Sequence, residues 1–142
     1  QIPGEIIDLL VVNSETLKEN PKFGKALVGA WYEIMEKMSS DDVLTKLALA
    51  SGTDLAGYKA QLDSTKMFYK AADAVRFTES AALLETMKSV AEFSFDHGLL
   101  GEGAADAGFI GIQTPSGVFG DESNIKIRFD SSFMSMAASG GL

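Results

Sequence analysis

The stretch "EIIDLLVVN", residues 5–13, decides how the rest of the chain is interpreted, because it is apolar on both of its faces. Only Asp8 interrupts the apolar residues, and they do not alternate with polar ones as they would in a half-exposed strand. The run is short and rich in β-branched residues, and Pro3-Gly4 precede it, which favours a central β-strand over the alternative of a buried helical turn. A strand buried on both faces needs neighbouring strands and covering helices.

The composition describes an ordinary folded domain with an acidic surface. The chain has 142 residues, of which 46% are hydrophobic and 23% charged, so it can bury a core and is not typical of disorder. A net charge of −8 would repel DNA, RNA and anionic lipid, so we expect no nucleic-acid partner. The absence of cysteine excludes disulfides, thiolate nucleophiles and cysteine-ligated zinc.

Helical periodicity dominates the segment that follows the apolar run. The strongest predicted helix begins at Asn20-Pro21, where asparagine suits the N-cap and the missing N–H of proline costs nothing at the first helical position. Further helices are predicted after Ser40, after Thr53 and after Ser80, each a residue type that caps helices well. The apolar residues of the strongest helix recur on one stripe, which favours core packing: Phe23, Ala26, Leu27, Ala30, Trp31, Ile34, Met35 and Met38.

The character of the sequence changes after the last long helix. "FIGIQ" (109–113) is strand-like, "TPSG" (114–117) is typical of a turn, and "NIKIRFD" (124–130) alternates between apolar and polar residues as a half-exposed strand does. We expect the two strands to form a hairpin with a long turn. "SSFMSMAASGG" (131–141) is expected to form a short terminal helix.

The chain is therefore predicted to be a single helix-rich α/β piece. A strand lies within 1–13, a helical layer within 14–98, and a loop, a hairpin and a short helix within 99–142. This is a thin sheet for a strand buried on both faces. Either the hairpin pairs with that strand, or its neighbours come from outside this sequence, or two copies of the chain exchange strands.

The only histidine lies in "SFDHGLLGEG", where Ser94, Asp96 and His97 resemble a catalytic cluster. Adjacent residues of a helix point about 100° apart, so Asp96 is poorly placed to orient the ring of His97. Gly98 falls where a left-handed residue ends a helix, and a histidine in the last turn suits the carbonyl ends. We therefore interpret the stretch as a helix C-terminus, with catalysis and ligand contact as the alternatives.

Other signals of chemistry are weak. "GEGAADAG" (101–108) lacks the spacing and context of a phosphate-binding glycine loop, and "SSDD" (39–42) and "DSSF" (130–133) lack the ligand spacing of a calcium loop. A metal site would depend on carboxylates and one histidine, so none is predicted. Trp31 and Tyr32 could stack on a ligand, although Trp31 lies in the apolar stripe and core packing is favoured for it.

Four stretches carry a resemblance to a known family. They are "IPGEIIDLLVVNSETLKENPKFGKALVGAWYEIM" (2–35), "ASGTDLAGYKAQL" (50–62), "FSFDHGLLGEGAADAGFIGI" (93–112) and "NIKIRFDSSFMSMAASGGL" (124–142). Together they resemble the C-terminal part of the solute-binding proteins of ABC importers. The subgroup is the one that serves nitrate, taurine and sulfonate, and it includes members described as urea binders.

The resemblance implies a partial periplasmic-binding-protein-like (type II) fold, in which two α/β lobes close on a solute about a hinge. The hinge would lie at residues 1–5, and the strand at 5–13 would rejoin a first lobe supplied by a missing N-terminal half. Pro3, Gly4 and Glu5 are the residues that the resemblance places near a ligand. Glu5 would accept a hydrogen bond from an amide or ammonium group, or else be a solvated strand end.

The resemblance also implies a location and partners. The protein would be periplasmic or otherwise extracytoplasmic, with a signal peptide and a possible lipid anchor upstream. It would hand a small polar solute to a membrane permease without a cofactor and without breaking a bond. The rival hypotheses are a helical interaction or structural domain, for which a second copy of the chain could complete the sheet, and an enzyme, for which no catalytic signature is visible.

Overall fold

A computed structural model describes residues 6–142, and within them helices dominate and three short strands form one mixed sheet. The helices are α1 (Ser14–Glu19), α2 (Pro21–Lys37), α3 (Asp41–Ala50), α4 (Leu55–Asp63), α5 (Ala71–Thr78), α6 (Ala81–Asp96) and α7 (Ser132–Ala138). The strands are β1 (Gly111–Thr114), β2 (Gly117–Phe119) and β3 (Ile125–Arg128). The prediction of a helix-rich α/β chain is confirmed at this level.

The chain divides into two units. One contains residues 6–13 and 75–132, and the other contains residues 14–74 and 133–142. We call them the sheet unit and the helical unit.

The core of the helical unit lies where α2 meets α3 and α4. Met35, Met38 and Leu44 are buried there, each with 6% of its surface exposed. Partly buried side chains surround this cluster: Tyr32, Leu47, Leu55, Tyr58, Leu62 and Met67. Lys59 of α4 also pairs with Asp41 of α3 at 2.7 Å. The C-terminal end of α2 is thus held by burial of flexible methionine and leucine side chains.

The N-terminal end of α2 is covered by α7. Gly24 is buried, and the ring of Phe133 lies directly against the position where any other residue would carry a Cβ. The absence of a side chain at Gly24 therefore lets an aromatic ring reach the helix backbone.

Most of the remaining apolar stripe of α2 is exposed, contrary to the expectation of core packing. Phe23 is 45%, Trp31 39% and Ile34 48% exposed, whereas Leu27 is half-buried. The core prediction therefore holds for Met35 and Met38 but is wrong for Phe23, Trp31 and Ile34.

The sheet of the other unit has the strand order β2-β1-β3. A two-residue turn, Pro115-Ser116, joins β1 to β2, and these strands pair antiparallel, so the turn predicted at 114–117 is confirmed. β3 pairs with β1 in parallel, and the predicted hairpin between 109–113 and 124–129 is therefore wrong in direction. The connection through β2 and a 3₁₀ turn at Glu122–Asn124 reverses the chain twice before β3 begins.

Helix α6 packs on this small sheet. It contacts β1 and β2, and Leu83 of α6 and Ile112 of β1 are both buried. The hydroxyl of Ser80 accepts a hydrogen bond from the backbone N–H of Leu83, so the helix start predicted after Ser80 is confirmed.

The predicted strand at 5–13 does not form over residues 6–13, the part of it that the structure describes. Ile6 and Val11 are 87% and 82% exposed, and Leu9 and Leu10 about half exposed. A strand needs a hydrogen-bonded neighbour, and segment 6–13 pairs with none of the three described strands. The apolar pattern of the segment is therefore left without the sheet that it requires.

Candidate functional site

The residues that the resemblance placed near a ligand, Pro3, Gly4 and Glu5, lie outside the described residues. Their proximity to a solute stays a prediction.

The end of α6, which holds the only histidine, is a Schellman motif. Gly98 adopts φ +69°, its N–H donates to the carbonyl of Phe95 at 2.9 Å, and the N–H of Leu99 donates to the carbonyl of Ser94 at 2.8 Å. These are the two hydrogen bonds that define this way of ending a helix. The prediction that Gly98 ends the helix is confirmed, but Leu99 is 69% exposed and is not buried against the last turn.

The ring of His97 is held by the helix that it ends. Its Nδ1 lies 2.8 Å from the carbonyl oxygen of Phe93, and the two rings stack with their centroids 3.9 Å apart. A carbonyl can only accept, so Nδ1 carries the proton in this contact. The hydrogen bond that a catalytic dyad would make to a carboxylate is made here to a backbone carbonyl. The geometry of Ser94, Asp96 and His97 favours a helix terminus over an acid–base cluster.

Two acidic loop residues organise turns of the sheet unit. Asp106 accepts a hydrogen bond from the backbone N–H of Gly108 at 2.8 Å. Asp121 accepts from both the hydroxyl and the backbone N–H of Ser123, and these hydrogen bonds lower the pKa of Asp121 below its ordinary value. Both carboxylates thus serve turn geometry in this structure.

Glu79, the residue that follows α5, accepts hydrogen bonds from two distant parts of the sheet unit. The hydroxyl of Ser116 donates to its backbone carbonyl, and the hydroxyl of Ser131 donates to its carboxylate, both at 2.8 Å. No pattern in the sequence predicts this site, because serines 37 and 52 positions away carry no local signal of a shared partner.

The two adjacent aromatic residues of α2 have opposite surroundings. Trp31 is exposed, whereas Tyr32 packs against the methionine core, where burial raises the pKa of its hydroxyl. Trp31 belongs to an exposed apolar surface, which we call the α2 face. It consists of Phe23, Ala26, Ala30, Trp31 and Ile34.

Among residues 6–142, no three histidine, aspartate or glutamate side chains are grouped so that they could hold a metal ion. No helix within the same range combines the length and apolar character needed to cross a membrane.

Comparisons with protein-family models, with curated proteins and with solved structures gave no match to this chain.

Proposed function

We propose that this chain is part of an extracytoplasmic solute-binding receptor, which delivers a small polar solute to the permease of an ABC importer. The proposal combines the resemblance of the sequence with one observation on the described residues. The segment 6–13 is apolar on both faces, yet its side chains are largely exposed.

The exposed segment supports the proposal because its pattern is that of a central strand. Ile6 and Val11 would each gain about 1.5–3 kcal/mol from full burial. That burial requires a sheet with helices on both sides, which a first α/β lobe would provide. Residues 1–5 would then form the hinge, with Pro3, Gly4 and Glu5 facing the cleft between the lobes.

In this mechanism the solute favours the closed arrangement of two lobes, and closure presents the loaded receptor to the permease. Glu5 would accept a hydrogen bond from the amide or ammonium group of the solute. The chemistry is binding and release, so the proposal needs neither a cofactor nor a catalytic residue. Urea or another amide, nitrate, and a sulfonate are the solutes that the resemblance suggests.

The decisive experiment compares this chain with the product of its complete coding sequence. The longer product is expected to contain an upstream α/β half with an export signal and to bind one of these solutes in a calorimetric titration. The 142-residue chain is expected to bind it weakly or not at all, because one wall of the cleft is absent. An upstream sequence without an α/β half, or a complete protein that binds none of these solutes, would contradict the proposal.

A helical interaction or structural domain is the second candidate function. The observation that favours it is the α2 face, where Phe23, Trp31 and Ile34 are exposed on one helix. Under this alternative, the chain would pack on another protein chain and would bind no small molecule. Association that persists in a complete protein lacking solute binding would favour it.

A further inference from the structure

We propose that the α2 face is a contact surface between two copies of this chain, whose α2 helices pack antiparallel about a two-fold axis. The inference does not depend on the proposed solute-binding function. It rests on the width of the apolar stripe, the sizes of its side chains and the charges beside it.

The α2 face is a continuous surface along one helix. Phe23, Ala30 and Ile34 recur at spacings that fall on one side of an α-helix, and Ala26 and Trp31 flank them. All five are exposed, while the neighbouring strip of the same helix, which holds Met35 and Met38, is buried in the core. The half-buried Leu27 and the exposed Trp31 lie at the border with the covered strip, so a partner on the α2 face would continue the packing that α3 and α4 begin.

In an antiparallel pair of α2 helices, large side chains of one copy face large ones of the other, and small side chains face small ones. With the two-fold axis beside Val28, Phe23 lies opposite Ile34 of the second copy, and Ala26 lies opposite Ala30 of the second copy. The small alanines near the centre let the helices approach closely, while the large side chains close the interface at both ends. A two-fold arrangement makes every such contact twice, as expected for a homodimer.

Charges at the edge of the face are complementary in the same arrangement. Lys22 lies towards the N-terminal end of α2, and Glu33 lies on the same flank towards the C-terminal end. Antiparallel packing about a two-fold axis keeps this flank of both copies on the same side of the interface and places Lys22 of each copy near Glu33 of the other. Glu33 also accepts a hydrogen bond from Lys37, which lowers the pKa of Glu33 and keeps it ionised.

The interface is expected to be weak and reversible. One pair of helices with five exposed residues on each side buries less than the roughly 1,200–2,000 Å² of a standard specific interface. We expect dimerisation of the 142-residue chain to appear only at high concentration. Sedimentation velocity over roughly 10 µM to 1 mM covers the range in which so small an interface associates.

The sharpest test is a charge exchange followed by mixing. Lys22→Glu alone and Glu33→Lys alone should each weaken self-association about tenfold. In either homodimer, residues 22 and 33 of opposite copies carry the same charge and repel each other at both pairs. An equimolar mixture of the two variants should restore association, since one copy then carries acidic and the other basic groups on the matching flanks. With a donor fluorophore on one variant and an acceptor fluorophore on the other, energy transfer between them measures formation of the mixed dimer.

The apolar part of the face has its own test and control. Ile34→Glu should abolish association, whereas Leu49→Glu, at a residue of α3 that is 71% exposed and outside the face, should leave it unchanged. Circular dichroism of each variant establishes that the helices remain folded. A chain that stays monomeric to 1 mM, a dimer that Ile34→Glu does not weaken, or a mixture without recovery would overturn the inference.

Discussion

At the residue scale, Gly98 shows how one backbone conformation ends a helix. Its φ of +69° is a conformation that residues with a Cβ adopt at a cost, and no atom lies within 4 Å of the place where a Cβ would be. Gly98→Ala should therefore destabilise the protein by about 1 kcal/mol through backbone strain alone. Urea unfolding measures this effect. Gly103→Ala is the control, because Gly103 also has open space but no positive φ, and an equal loss there would contradict the explanation.

A second prediction at this scale concerns Asp121. Its pKa is lowered first by the hydroxyl of Ser123 and then by the backbone N–H of the same residue. Ser123→Ala should raise the pKa of Asp121 towards its ordinary value of 3.8, as an NMR titration of the carboxyl carbon would show. A depressed folded pKa stabilises the fold fully above the unfolded value, and this contribution is lost as the pH falls through the folded pKa. Ser139→Ala, which removes a hydroxyl bonded only to backbone carbonyls, should leave this titration unchanged.

At the scale of elements, helix α2 carries two glycines with opposite roles. Gly24→Ala would place a Cβ too close to three atoms of the Phe133 ring, so the ring or α7 must shift and the stability should fall by about 1–2 kcal/mol. Gly29→Ala is the matched control in the same helix, because its nearest neighbour would be Leu142 at 3.8 Å, an ordinary contact. That change should stabilise the helix by about 0.5–1 kcal/mol. Thermal unfolding compares the two, and equal shifts would refute the role of Phe133.

Elements also show what the sequence could and could not predict. The helices α2, α3 and α6 begin directly after Asn20, Ser40 and Ser80, as these residue types predict, and the side chain of Ser80 accepts a hydrogen bond from the first turn whereas those of Asn20 and Ser40 do not. The direction of β3 could not be predicted in this way, since alternation is identical in parallel and antiparallel strands. The exposure of Trp31 could not be predicted either, because a periodic stripe shows which residues can be buried but not what covers them.

At the scale of the whole molecule, the described residues leave the apolar segment 6–13 without a sheet, and residues 1–5, which we propose as the hinge, lie outside them. A pattern of apolar residues indicates that a segment is suited to burial. The neighbouring strands that bury it can come from another part of a protein or from a second copy. The proposed first lobe would resolve this contrast between the apolar pattern and the exposure of segment 6–13.

Val11→Asp should leave the stability of the 142-residue chain within about 0.5 kcal/mol, because this side chain is 82% exposed there. In a longer protein whose strands enclose segment 6–13, the same change would bury a charge without a partner and should cost several kcal/mol. Leu83→Ala is the control, since Leu83 is 1% exposed and its loss should cost about 2–5 kcal/mol in both proteins. Urea unfolding of the two variants in the two proteins separates the outcomes. A large cost of Val11→Asp in the 142-residue chain alone would mean that this chain already covers the segment, and the case for an absent lobe would be lost.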